Sequence, residues 1–286
     1  MGQPADVAPR YHWHVVGVSA RGVAHIKQGT PCQDSHVWQA LPGGGVVVAV
    51  ADGAGSASLS QLGSARAALA VVEWVSELMK DECPRDDGEW RAMLSAALET
   101  AHESVLESAK KRKVSPRELA TTLIVLVATP EIAAAAQVGD GAAIVMNGNG
   151  EPVAVTAPQS GEFVNETLFF TSPDYLKAAQ FGLWRGRVTG LGVISDGLQL
   201  LALKMPDAVP HAAFFSPLLQ FLHESEDLHD AEQELRDFMA SERIRQRADD
   251  DLTLVVGALH EVRLPAAEPV FEEPARITGS ENALST

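Results

Sequence analysis

The spacing of apolar positions changes several times along the chain, and each change marks an element. "VVVAVA" at 46–51 is an unbroken apolar run, which predicts a strand buried on both faces, and it stops on Asp52, Gly53, Ala54 and Gly55. Ahead of it, "WHVVGVS" at 13–19 predicts a first strand. Behind it, Leu62, Ala65, Leu69, Val72, Val75 and Met79 recur by three and four, which predicts a helix capped by Ser56 or Ser58. A second amphipathic helix is expected after Asp86 or Asp87, with Trp90, Met93, Leu94, Ala97, Leu98, Ala101 and Val105 on one side. It ends in Lys110, Lys111, Arg112 and Lys113, where a helix C-terminus favours cations.

From Leu119 the pattern turns to strands. "LATTLIVLVA", "EIAAAAQVGD" and "GAAIVMNGNGEPVAVT" predict successive antiparallel strands, with a hairpin at Asn147-Gly148-Asn149-Gly150. A polar stretch at 157–183 then interrupts the sheet; its length and glycines suggest a flap over a site, with Ser172-Pro173 opening a helix. "GRVTGLGVISDGLQLLAL" returns to the core. Residues 211–247 carry two helical patterns, the first opened by Ser216-Pro217 and the second holding Leu228, Leu235 and Met239, and a strand follows at 252–259. Residues 1–10 read as a flexible leader and 263–286, rich in Pro, Glu and Ala without period, as a disordered acidic tail. Helices and strands do not alternate one for one, so antiparallel sheets covered by helices are expected rather than a doubly wound parallel sheet.

The 286 residues suit one domain. Lys and Arg number 22 against 38 Asp and Glu, a formal charge of −16 that would repel nucleic acid and anionic membrane alike. No run approaches the roughly 18 apolar residues of a spanning helix, and the N-terminus lacks the apolar core of a signal peptide. Cys32 and Cys83 form neither a disulfide framework nor a metal-ligand spacing. The expectation is a cytoplasmic protein with no nucleic-acid or membrane partner.

The acidic positions change this picture most. Apolar strands run into Asp52-Gly53, Asp140-Gly141 and Asp196-Gly197; Asp249, Asp250 and Asp251 open the last apolar run, and Asp34 opens an early one. Burying an ionised carboxylate costs several kcal/mol unless something compensates it. Five clusters, each tied to a rigid strand, can converge, and oxygen donors without His or Cys suit Mg²⁺ or Mn²⁺. Arg21, His25 and Lys27 are the cationic or protonatable groups on the loop that leads to Asp34. His12 and His14, two apart, share a strand face, but nothing nearby in the sequence completes a metal site with them.

Taken in order, Gln33-Asp34, Asp52-Gly53, Thr121-Thr122, Asp140, Asp196-Gly197 and the "DDLT" of 250–253, where D-N-x-T is usual, resemble the metal-dependent Ser/Thr protein phosphatases of type 2C, over about 13–259. The resemblance implies an α+β fold, a four-layer αββα sandwich of two antiparallel sheets flanked by helix pairs, with 11–262 as the phosphatase catalytic domain. It implies hydrolysis of phosphoserine and phosphothreonine in proteins by a hydroxide bridging two Mn²⁺ or Mg²⁺ ions and attacking phosphorus in line. Carried over, Asp52 bridges the ions, the Gly53 carbonyl binds one, and Asp196 and Asp250 bind the other. Asp34 and Gln33 act through metal-bound water, and Asp140 joins Asp196 on a third ion.

Departures from the family pattern sharpen the expectations. Gly29, Thr30, Pro31 and Cys32 stand where many members carry a phosphate-gripping Arg, so that task falls to Lys27, His25 or Arg21. Ala54 replaces the His common after the Asp-Gly pair in eukaryotic members, Gln33 replaces the common Glu, and Gly141 the usual Ser. "HIKQGTPCQD" and "GEFVNET" resemble a bacterial subgroup whose members are often encoded beside a kinase and a von Willebrand A-type protein, implying a phosphorylated Ser/Thr kinase or that adaptor as partner. The competing reading is a catalytically silent phosphatase-like module that binds or regulates a partner; the presence of Asp34, Asp52, Asp140, Asp196 and Asp250 argues against it.

Overall fold

The computed structural model describes residues 10–159, 169–246 and 249–262. In chain order, β1 (Arg10–Ala20), the short α1 (Val23–Gln28), β2 (Ser35–Leu41) and β3 (Gly45–Ala51) lead into the long helices α2 (Ser60–Leu78) and α3 (Asp87–Arg112). Four strands follow, β4 (Leu123–Ala128), β5 (Ile132–Val138), β6 (Ala142–Met146) and β7 (Pro152–Thr156), then α4 (Tyr175–Ala178), β8 (Gln180–Arg185) and β9 (Gly190–Ile194). The last part holds α5 (Gln199–Ala202), β10 (Leu203–Lys204), β11 (Val209–Pro210), α6 (Ala212–Glu224), α7 (Leu228–Ala240), α8 (Glu242–Arg245) and β12 (Leu252–Val262).

Two five-stranded sheets stack face to face, ordered β1-β12-β9-β6-β7 and β2-β3-β4-β5-β8, and every pairing in both is antiparallel. The unbroken apolar run of β3 follows from its position. Val46, Val48 and Val50 point into the layer between the sheets, where they meet Trp13, Ile124, Leu126, Val193 and Val255. Val47, Ala49 and Ala51 point the other way, onto Val71, Val75, Leu94 and Leu98 of α2 and α3. On the far side, Phe215, Leu219, Leu235 and Met239 of α6 and α7 cover Val16, Val18 and Leu254 of the first sheet. The result is the expected αββα sandwich, and burial of its three apolar layers supplies most of the driving force for folding.

Several elements depart from the periodicity reading. α2 begins at Ser60, with no side chain capping it. Ser58 instead donates to Glu118 Oε2 at 2.6 Å. The buried face of α2 is Ala67, Ala68, Val71, Val72 and Val75, while Ala65 and Leu69 are exposed. Alanines on two faces leave the apolar stripe ambiguous, and close approach to the sheet selects the face with small residues. β5 and β6 are consecutive but unpaired, because the chain crosses from one sheet to the other between them. β8 is an edge strand that begins at the end of the stretch read as a flap and runs beyond it, and none of its residues is fully buried, so it shows no alternation. α6 starts at Ala212 and carries Pro217 inside it, and α4 has no side-chain cap from Ser172. The "GEFVNET" stretch, residues 1–9 of the expected leader and the expected tail at 263–286 lie outside the described residues. Among the described residues no helix is long and apolar enough to cross a membrane.

Candidate metal centre

The acidic residues gather where strand ends of the two sheets meet. β3 delivers Asp52, and the Thr121-Thr122 pair fixes its backbone. Thr122 N–H and Thr121 Oγ1–H both donate to the Asp52 carbonyl at 2.8 Å, and Asp52 N–H donates to Thr122 Oγ1 at 3.0 Å. Gly53 is required by close approach, since a Cβ there would lie 2.6 Å from the Gln33 carbonyl oxygen. Gly197 meets the same constraint, with the Asp251 carbonyl oxygen 2.2 Å from a Cβ position. The glycine of each of these Asp-Gly pairs therefore lets the backbone of another segment press against the carboxylate's own loop.

Asp140 sits on the crossover between the sheets. The side chain of Gln137, fully buried at the end of β5, shapes that turn: its Nε2 donates to the Gly139 carbonyl at 3.0 Å and the Gly141 carbonyl at 2.7 Å. Its Oε1 accepts from Thr156 Oγ1 at 2.6 Å. Asp196 follows β9 directly. Carboxylate oxygens of Asp52, Asp140 and Asp196 all lie within 4.8 Å of one another.

The segment entering β12 contributes two carboxylates with different surroundings. Asp250 is more exposed, with 59% of its side chain open to solvent, and its charge acts on Asp52 and Asp196. Asp251 is 2% exposed, and its two oxygens accept from the backbone N–H groups of Gly22 and Gln33, each at 2.6 Å. Two residues further along, Thr253 Oγ1 donates to Asp34 Oδ2 at 2.8 Å, and its N–H donates to Ser195 Oγ at 2.9 Å. Ser64 Oγ donates to the Gln33 carbonyl at 2.5 Å.

The three expected phosphate-binding residues are placed differently from one another. His25 is buried and turned inward, its Nδ1 2.9 Å from Asp251 Oδ1 in an ion-pair contact that lacks hydrogen-bond geometry. Arg21 is exposed and donates to the Thr30 carbonyl at 3.2 Å. Lys27 is exposed and forms no ion pair among the described residues.

Electrostatics make the cluster a poor resident of a protein by itself. Burial pushes Asp34 up to about 7, helped by the charges of Asp251 and Asp196 and opposed by the hydroxyls of Thr253 and Ser195. Burial and the charge of Asp140 push Asp196 up to about 6. Asp52 is raised well above the usual carboxylate range by burial and by the charges of Asp34 and Asp196. Asp34 Oδ1, Asp196 Oδ1 and Gln33 Oε1 are buried without a hydrogen-bond partner. Mutually repelling carboxylates with unpartnered oxygens fit hard divalent cations, which need oxygen donors and offset the charge.

Sequence reasoning passed over two supports of this site and one arrangement away from it. Asp251 lay inside a triple acidic run with no role of its own, although its burial separates it from its neighbours. Gln137 carried a signal, a lone amide in "AAAAQV". His12 and His14 are not without company, because β1 pairs with β12 so that His12 stands opposite His260.

An αββα sandwich whose strand ends converge on an oxygen-rich acidic centre has the architecture that the resemblance implies. The chain belongs to the protein phosphatase 2C family, whose model matches residues 21–240. It is 31% identical over 250 residues to serine/threonine-protein phosphatase 3 of Escherichia coli strain K12, a match covering 85% of this chain and 97% of that one. Among solved structures, the catalytic domain of the serine/threonine protein phosphatase PstP in complex with two manganese ions shares the fold at a TM-score of 0.59 and 17% identity, over 87% of this chain and 99% of that one. Serine/threonine phosphatase Stp1 from Staphylococcus aureus gives 0.54 and 14%, over 90% and 98%.

Proposed function

We propose that the protein hydrolyses phosphoserine and phosphothreonine esters of a partner protein at a Mn²⁺ or Mg²⁺ centre built on Asp52. The observation that carries this reading is the convergence of Asp52, Asp140 and Asp196 within 4.8 Å, beside buried carboxylate oxygens that have no donor. In it, Asp52 and the Gly53 carbonyl, Asp196 and Asp250 hold two cations, and Asp140 with Asp196 holds a third. Bound there, the cations would make a water acidic and neutralise phosphoryl oxygens in an in-line displacement.

The chain's own groups do the rest. Thr121 and Thr122 hold the Asp52 backbone rigid, so its carboxylate does not reorganise during turnover. Asp34 keeps Oδ1 free while Thr253 binds Oδ2, which lets it accept a hydrogen bond from an attacking water, with the Gln33 amide orienting the same molecule. Arg21 and Lys27 offer positive charge on the exposed segment that precedes Asp34, and they receive the substrate phosphate. His25 acts indirectly, packed on Asp251. The physiological substrate in this reading is a phosphorylated Ser/Thr kinase or a von Willebrand A-type adaptor in the cytoplasm.

The test is hydrolysis of p-nitrophenyl phosphate and a phosphothreonine peptide with Mn²⁺, with Mg²⁺ and with EDTA. Turnover should require the cation and fall by more than about 100-fold in Asp52→Ala and in Asp196→Ala, since each change removes several kcal/mol of charge stabilisation. Folded wild-type protein with no turnover on either substrate would overturn the proposal in favour of a silent binding module. Lys27→Ala should raise KM severalfold with kcat nearly intact, because it removes binding made equally before and during reaction. An unchanged KM would remove Lys27 from phosphate binding.

A further inference from the structure

At the far end of the first sheet, four histidines meet on its helix-facing side. His12 and His14 share one face of β1 by their spacing, and the β1–β12 register sets His260 directly opposite His12. This is the face whose Val16, Val18 and Leu254 lie under α6 and α7, and the last turn of α6 brings His223 over it. Ring centroids are 3.9 Å apart for His14 and His260, 5.1 Å for His12 with either, and 4.6 Å for His223 and His260. His12 lies eight and His14 six strand positions from Ala20, where β1 leaves for the acidic centre; at ~3.3 Å per residue that is about 20–26 Å.

We propose that His12, His14 and His260, with His223 as a fourth donor, form a second metal site of the zinc class, separate from the acidic centre, that ties β1 and β12 to α6. One ring nitrogen from each of His12, His14 and His260 lies within 4.8 Å of the others. The Nε2 atoms of His12 and His14 are 3.3 Å apart. Two imidazole nitrogens on a tetrahedral zinc, each ~2.0–2.1 Å from it, stand about 3.3 Å apart, so that pair needs little adjustment. His260 Nε2 and His14 Nδ1 are buried without a hydrogen-bond partner among the described residues, while the Nε2 atoms of His12 and His14 have only each other at hydrogen-bond distance. An all-imidazole donor set selects zinc, nickel, cobalt or copper over the magnesium and manganese favoured by carboxylates.

The test uses the full chain free of any added histidine tag and saturated with Mn²⁺, titrated with Zn²⁺ by calorimetry and with Co²⁺ by visible absorption. One equivalent of Zn²⁺ should bind, raise the unfolding temperature and persist in Asp52→Ala; Co²⁺ should give the intense bands of a tetrahedral nitrogen site. His14→Ala and His260→Ala should weaken binding by at least about 100-fold, the loss that even an outer partner of a ligand can cause, with turnover on p-nitrophenyl phosphate retained. His12→Gln, at an exposed position, provides the same test without disturbing the fold. No Zn²⁺ binding in the wild type, binding that survives His12→Gln and His14→Ala, or binding lost only in Asp52→Ala would each overturn the site and leave four histidine rings packed together without a metal.

Discussion

Asp251 organises the centre from a buried position. Its two oxygens hold the N–H groups of Gly22 and Gln33, partners 229 and 218 residues away, so it joins the segment carrying Arg21 and Lys27 to the pair Gln33-Asp34. Asp251→Ala should leave two buried N–H groups unpaired and cost ~2–5 kcal/mol, read as a lowered denaturation midpoint. Asp251→Asn, with one oxygen left to accept, should fall between the two. An Ala variant as stable as wild type would mean water replaces both bonds. At this scale the directly acidic residues were legible, since Asp34, Asp52, Asp140, Asp196 and Asp250 each border an apolar run. Asp251 was not, because nothing local separates it from two acidic neighbours, and what buries it comes from the other end of the chain. The histidine cluster was hidden for the same reason: adjacency across β1 and β12 is a matter of strand register, which local spacing does not contain.

Elements with a single decisive local signal matched their expectation, and those needing a partner to choose between options did not. α3 starts where Asp86 predicts: its carboxylate accepts from Glu89 N–H at 2.9 Å, while Glu89 Oε2 reaches back to Arg85 N–H at 2.8 Å. All seven of its expected core residues are buried. Asp86→Ala should therefore lower stability by ~1 kcal/mol, measurable by urea denaturation, with metal-dependent turnover unchanged. α2 had two faces of small residues and waited on the sheet to choose one. β8 was illegible as a strand because an edge strand with half-covered faces need not alternate, and pairing with β5 supplies what its sequence lacks.

Across the whole molecule, the acidic centre sets how stability depends on pH. Burial and neighbouring charges raise Asp34 to about 7 and Asp196 to about 6, against an ordinary value of 3.8. Between those values the folded chain holds protons that the unfolded chain has released, so metal-free stability is greatest below about pH 4 as far as these groups go and declines as pH rises to about 7. EDTA-treated protein should unfold at lower urea at about pH 8 than at about pH 5, and saturating Mn²⁺ should remove most of the difference; a flat metal-free profile would show that the carboxylates do not strain the fold. The same long-range closure has a bearing on biosynthesis. Asp34 takes its hydroxyl donor from Thr253, 219 residues later, and β12, which carries Thr253, is threaded between β1 and β9 rather than added at an edge. At the ~5–20 residues per second of translation, about 10–45 s separate the emergence of the two. A chain still on the ribosome before that point has its early carboxylates but no finished centre, so phosphatase activity begins with the insertion of one late strand.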